Sequence, residues 1–169
     1  MNLALIFAGG TGTRMNSKTK PKQFLELNGK PIIIHTIELF ESHPEIDAIA
    51  VVCLESWIGY LNELLERFRI KKVKYVVPGG ETGQQSIRNG LTAFWDDQDI
   101  PRDSLVLIHD GVRPLINEDI ITRSIECAKQ YGNAITVTPA IETIITVSED
   151  DSVDQIMDLS LIHISEPTR

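Results

Sequence analysis

Cysteine is nearly absent from this chain: Cys53 and Cys127 are the only two. Both fall in apolar patterns, without metal-type spacing or a disulfide framework, and both are expected as buried structural thiols in a reducing, cytoplasmic setting. Long apolar runs are missing too. No stretch approaches the ~20 residues of a membrane span, and the N-terminus lacks the basic-then-apolar layout of a secretory signal, so no membrane partner is expected. Basic charge is outnumbered, with 16 Lys and Arg against 24 Asp and Glu and a formal net charge of -8. That balance is the reverse of a nucleic-acid-binding footprint, so no nucleic acid is expected as partner. Repeats and low-complexity linkers are absent as well. With 169 residues and 42% hydrophobic content, one well-packed domain is expected.

What is present is concentrated near the start. The apolar run Leu3-Ala4-Leu5-Ile6-Phe7 reads as a buried strand emptying into Ala8-Gly9-Gly10-Thr11-Gly12-Thr13-Arg14-Met15. Lys18, Lys20 and Lys22 follow, and no Asp or Glu precedes Glu26. Glycines let backbone N–H groups approach an anion closely, and lysine and arginine supply the countercharge. The pattern points to a polyphosphate site.

Apolar runs then alternate with helical patterns. Strands are expected at Leu3–Ala8, Ala48–Leu54, Val73–Val77, Ser104–His109 and Ala134–Thr138. Pro31 suits the first turn of a helix that turns Ile34, Ile37 and Phe40 inward. Ser56 is placed to cap a second helix with Trp57, Leu61, Leu64, Leu65 and Phe68 on its apolar face. A third is expected over Gln84–Trp95 with Ile87, Leu91 and Phe94 inward, and a fourth over Glu118–Tyr131 with Ile120, Ile121, Ile125 and Ala128 inward. Both tryptophans, Trp57 and Trp95, read as core residues, and His35 and His43 carry no chemical pattern. The alternation implies an α/β fold: a Rossmann-like, mainly parallel sheet with helices on both faces. Such sheets bind ligands at the carboxyl ends of their strands, where three unusual loops fall: Gly9–Lys22, Pro78–Gly83 and Asp110–Pro114. After Pro139 the rhythm changes. Glu142–Val147, a turn at Glu149–Ser152 and Val153–Met157 suggest a projecting β-hairpin arm.

Two common phosphate motifs do not fit. The P-loop requires Gly-Lys followed by Ser or Thr, and Gly29-Lys30 is followed by Pro31. The dinucleotide fingerprint matches through Gly10 and Gly12 but meets Met15 at its third glycine position. The loop Ala8–Met15 with Pro21-Lys22-Gln23-Phe24 instead resembles the sugar-nucleotide pyrophosphorylase loop. Gly79-Gly80-Glu81 with Ser86, and His109-Asp110-Gly111-Val112-Arg113-Pro114, narrow the resemblance. Together they are similar to the polyol-phosphate cytidylyltransferases, a group with 2-C-methyl-D-erythritol 4-phosphate and ribitol-5-phosphate enzymes. Val112 leans toward the ribitol branch.

The resemblance implies a reaction in which an acceptor phosphate attacks the α-phosphorus of CTP and displaces pyrophosphate. No covalent protein nucleophile is required, consistent with the lack of a Ser-His-Asp or Cys-His pattern. It implies that Arg14 and Lys22 hold the triphosphate and stabilise the transition state, and that Asp110 ligates Mg2+. Nucleotide binding would fall to Ala8, Gly9, Gly10, Gly12, Thr13, Gly80, Glu81 and Ser86, with Ser86 on the pyrimidine; the plainer reading of Ser86 is a helix cap. Arg113 and Thr143 would bind the acceptor, unless Arg113 is a structural ion pair. His109 is expected to position the loop rather than transfer protons. A homodimer through the hairpin is also implied. One departure stands out: the family commonly has an arginine three residues before the serine, and here that residue is Gly83.

The run Leu159–Arg169, LSLIHISEPTR, is unlike what precedes it and resembles a translated sequencing-library adaptor. The natural domain is therefore expected to occupy residues 1–158. The family's remaining third would supply an arginine just after Asp158, a downstream lysine and a second metal-binding carboxylate. A catalytically inert CTP-binding fragment is thus the alternative to an active transferase.

Overall fold

The computed structural model describes residues 1–9, 20–137, 143 and 145–156. The chain divides into two units, Met1–Ile135 and Thr136–Arg169.

The first unit is built on four parallel strands: β1 (Asn2–Ala8), β4 (Ala48–Cys53), β5 (Val73–Pro78) and β6 (Leu105–Asp110), in the order β5-β4-β1-β6. The two central strands read as continuous apolar runs because both of their faces are covered. Ala4, Ile6 and Ala8 of β1, with Ile49, Val51 and Cys53 of β4, point into one core. That core is completed by α1 (Ile32–Ser42), α2 (Ile58–Arg67) and α4 (Glu118–Tyr131). Leu3 and Leu5, with Ala48, Ala50 and Val52, point to the opposite core, shared with Phe94 of α3 (Gly83–Asp96) and with Ile100. The expected parallel sheet covered on both faces is therefore present.

Several local expectations are corrected. Pro31 does not enter α1; it occupies the N-cap position and closes β3 (Lys30–Pro31). With β2 (Glu26–Leu27), β3 forms a small hairpin whose turn, Asn28-Gly29, has φ of +53° and +76°. Asn-Gly is the usual signal for such a turn. Ser56 does not cap α2: it lies inside a 3-10 turn, Glu55–Trp57, and the N-cap position falls on Trp57. On α3 the buried residues are Ser86, Gly90 and Phe94, with the expected Ile87 partly buried against the same core, while Leu91 sits at the margin. A Cβ on Gly90 would lie 2.7 Å from Leu5 Cδ1 and 2.9 Å from Val52 Cγ2. The bare glycine lets the helix settle on the sheet along that line, which turns Leu91 outward. Trp95 is 63% exposed rather than core, covered instead by the Arg102 guanidinium 4.0 Å from its ring.

Cys53 is buried, and burial pushes its thiol up to about 11. Cys127 is only partly buried, because the end of α4 is close to solvent; its thiol donates to Asn133 O. His43 is buried, with Nδ1 accepting from Glu45 N–H and Nε2 therefore donating to Thr122 Oγ1 at 3.0 Å, which ties α1 to α4. Tyr75 donates its hydroxyl to the Asp97 carboxylate, which pushes the phenol up to about 12 and holds Asp97 below the usual carboxylate range. The strand expected over Ala134–Thr138 does not form at Ala134–Val137; Thr138 lies outside the described residues. Ile135 and Val137 are 83% and 82% exposed. No described strand pairs with them, and β-branched composition without a partner ladder does not make a strand.

The second unit contains a β-hairpin, β7 (Ile145–Val147) with β8 (Val153–Ile156), antiparallel. Its turn is held by Ser148 N–H donating to Ser152 O and by Asp150 Oδ1 accepting from Ser152. Of the expected Glu142–Val147, Ile145–Val147 is β7, and Glu142 and Ile144 lie outside the described residues. Among the described residues no helix is long and apolar enough to cross a membrane.

Candidate active site

Parallel register brings the carboxyl ends of the four strands to one edge. Ala8 lies beside Cys53, Cys53 beside Pro78, and Phe7 beside Asp110. The ladder continues just past the strands: Gly79 N–H donates to Cys53 O at 2.8 Å and Gly111 N–H to Phe7 O at 2.9 Å. The loops after β1, β5 and β6 therefore leave from neighbouring points, as the sheet-end rule requires.

Gly9, Gly79 and Gly80 meet around Ser86. A Cβ on Gly79 would lie 3.3 Å from Gly9 Cα, and one on Gly9 would lie 3.0 Å from Ser86 Oγ. Only residues without side chains allow the exits of β1 and β5 to approach this closely. Ser86 is buried; its hydroxyl donates to Thr82 O at 3.0 Å and accepts from Gly80 N–H at 3.1 Å. The capping role considered for Ser86 belongs to Thr82, whose Oγ1 accepts from Gln85 N–H while Gln85 Oε1 accepts from Thr82 N–H. Ser86 is thereby left to orient the Gly80 amide. Glu81 is exposed beside it, and Gly83 opens the helix with nothing within 4 Å of where a side chain would begin.

The turn after β6 is organised by its own acid. Asp110 Oδ1 accepts from Val112 N–H at 3.1 Å, and Oδ2 faces Arg113 Nε at 3.3 Å. The ion pair considered for Arg113 thus exists, but with the arginine side chain 58% exposed it contributes little and can be exchanged for a ligand. His109 Nε2 lies 3.0 Å from Arg113 O. A carbonyl only accepts, so that nitrogen carries the proton and the imidazole braces the turn, as expected. From beneath, the buried Thr36 of α1 donates its hydroxyl to Gly111 O at 3.0 Å.

Lys22 opens a 3-10 turn, Lys22–Phe24, in which Gln23 and Phe24 are buried and Lys22 is not. Phe24 stacks on Trp57 with centroids 4.9 Å apart and meets Tyr60 edge-on at 5.4 Å. Lys20 Nζ lies 5.4 Å from the Tyr60 ring centre. Trp57 is accordingly a core-edge residue that supports this turn.

Of the sequence-derived site, Ala8, Gly9, Gly80, Glu81, Asp110, Arg113 and Lys22 belong to the first unit, at the ends of its strands or in the loops leaving them, and Ser86 lies in the first turns of α3. Gly10, Gly12, Thr13 and Arg14 lie outside the described residues. Thr143 lies in the second unit and is exposed. Sequence reasoning missed two supports, Gln23 and Thr36. Both are polar residues within apolar surroundings, Phe24-Leu25 and Ile32–Ile37, and that placement was the available signal.

The chain matches the family model described as IspD, 2-C-methyl-D-erythritol 4-phosphate cytidylyltransferase, over residues 2–167. A ribitol-5-phosphate cytidylyltransferase of Vibrio parahaemolyticus is 57% identical over 166 residues, covering 98% of this chain and 69% of the relative. Another ribitol-5-phosphate cytidylyltransferase, of Streptococcus agalactiae serotype Ia, is 52% identical over 158 residues, covering 94% and 65%. The crystal structure of 4-diphosphocytidyl-2C-methyl-D-erythritol synthase from Anaerococcus prevotii superposes with a TM-score of 0.73 at 26% identity, covering 96% of this chain and 65% of that one. The chain thus spans about two thirds of the length of the proteins it matches.

Proposed function

This chain belongs to the 2-C-methyl-D-erythritol 4-phosphate cytidylyltransferase (IspD) family, and from that premise we propose that it transfers a cytidylyl group from CTP to a polyol phosphate, ribitol 5-phosphate, releasing pyrophosphate. The observation that carries the reading is the convergence, at one sheet edge, of the Gly9–Gly79–Ser86 cradle and the Asp110 turn. The names of the two relatives above support ribitol 5-phosphate as acceptor, as does Val112.

Each part has a task in that reaction. Two anions must meet, and charge builds on a five-coordinate phosphorus; fixed cations lower that barrier. Lys22, on its doubly anchored turn, and Arg14 hold the triphosphate and the developing charge. The glycine cradle admits a flat pyrimidine ring against backbone, and Ser86, by accepting the Gly80 N–H, fixes the loop that lines it. Arg113 exchanges Asp110 for the acceptor phosphate. Asp110 fits a magnesium ion: each carboxylate oxygen keeps lone pairs beyond its present bond. Among the described residues no trio of His, Cys, Asp or Glu gathers, and one carboxylate plus nucleotide phosphates is an ordinary magnesium arrangement. Bound there, Mg2+ supplies charge neutralisation on the phosphates.

A homodimer and a cytoplasmic setting belong to the same proposal. A lone two-stranded hairpin is marginal in water, and Val147, Val153 and Ile156 are each more than half exposed, which supports a second copy as cover. Both cysteines are free thiols, which supports a reducing compartment. The test is pyrophosphate release with CTP, UTP, ATP or GTP, each with ribitol 5-phosphate or 2-C-methyl-D-erythritol 4-phosphate. Release confined to CTP and fastest with ribitol 5-phosphate is expected; preference for the erythritol acceptor would move the chain to the other branch.

A further inference from the structure

Gln23 is 1% exposed, an unusual condition for a glutamine. Its Nε2 donates to the Ala8 carbonyl at 2.7 Å, across 15 positions of sequence. Ala8 is the last residue of β1 and stands beside Cys53, directly before the Gly9 that touches Ser86. The neighbouring Phe24, also fully buried, shows that apolar packing alone can seat this turn. Burying an amide is costly unless it is bonded, so what the carboxamide adds over a leucine or methionine is direction.

We propose that Gln23 is a positioning residue for the transfer: it ties the turn bearing Lys22 to the end of β1, so that the ammonium and the glycine cradle are held as one piece. The turn has anchors on both sides of Lys22. Pro21 O accepts from Phe24 N–H at 2.9 Å, Phe24 is clamped by Trp57 and Tyr60, and Lys20 sits over the Tyr60 ring. The Gln23 bond is the anchor that runs to the sheet edge itself. Without it the turn keeps its aromatic seat but can slide relative to Ala8. A displacement of about 1 Å in a charge-placing group costs roughly a hundredfold in rate. The inference rests on the assignment of Lys22 to the triphosphate.

The test is a double-mutant cycle on the full chain, with Gln23→Met, which keeps shape but lacks the donor, in the native and Lys22→Ala backgrounds. Turnover, KM for CTP and thermal unfolding are read together. Gln23→Met is expected to lower kcat about ten- to hundredfold with KM for CTP changed less, and to add no further loss to Lys22→Ala. Gln23→Glu, which sets a carboxylate against the Ala8 carbonyl, should lose more; it also serves as the cycle's variant if Gln23→Met does not fold. Equal fractional losses in both backgrounds, or an unchanged kcat in folded Gln23→Met, would overturn the inference while leaving the function intact. A native chain without CTP-dependent pyrophosphate release would instead overturn the functional reading beneath it.

Discussion

Lys22 is the partly exposed member of a turn whose other two residues are buried, so replacing it by alanine removes a charge without opening a core. Loss of one preorganised electrostatic group costs about 3 kcal/mol of transition-state stabilisation, on the order of a hundredfold in turnover. Lys22→Ala should show that loss in a pyrophosphate-release assay and unfold within a degree or two of the native chain. Ser86→Ala tests a different property. The Gly80 amide loses its acceptor and is free to rotate away, so KM for CTP should rise about fivefold, equivalent to about 1 kcal/mol for one hydrogen bond, with kcat nearly kept. Gly83 offers the reverse experiment, because the space around it is open. Gly83→Arg should fold normally and tighten CTP binding several-fold by calorimetry, the added charge reaching the anion.

Among the elements, α3 shows how packing overrides periodicity. Its boundaries were readable to within a residue, though the Thr82–Gln85 capping box went unread, and its inward line held at Ile87 and Phe94 but not at Leu91. Counting apolar residues favours Leu91; the sheet instead accepts Gly90, because a bare backbone approaches Leu5 and Val52 most closely. Gly90→Ala should therefore cost about 1–3 kcal/mol from overpacking, seen as a fall of several degrees in Tm with KM for CTP little changed. The central strands were legible because continuous apolar runs leave few alternatives, whereas Ala134–Val137 shows that the same composition fails without a ladder. At the candidate site, motifs drew attention to Asp110, Arg113 and Ser86. The bonds that hold their loops were invisible in sequence because they join distant positions: Thr36 and Gly111 are 75 residues apart.

For the whole molecule, stability has a pH limit on the alkaline side. Cys53 is raised from 9.0 to about 11 by burial, and Tyr75 from 10.0 to about 12, chiefly by its hydrogen bond to Asp97. Each favours the folded state fully below its unfolded value. That contribution is lost as pH rises through the folded value, since the unfolded chain ionises first. Thermal stability should thus fall from about pH 9 upward, and Cys53→Ala should flatten the first part of that decline. The most direct measurement is phosphorus NMR of the chain incubated with CTP, Mg2+ and ribitol 5-phosphate. Paired diphosphate signals of CDP-ribitol, appearing in step with pyrophosphate and absent with Lys22→Ala, are the predicted result. CTP left intact, or hydrolysed without a CDP-polyol, would contradict it.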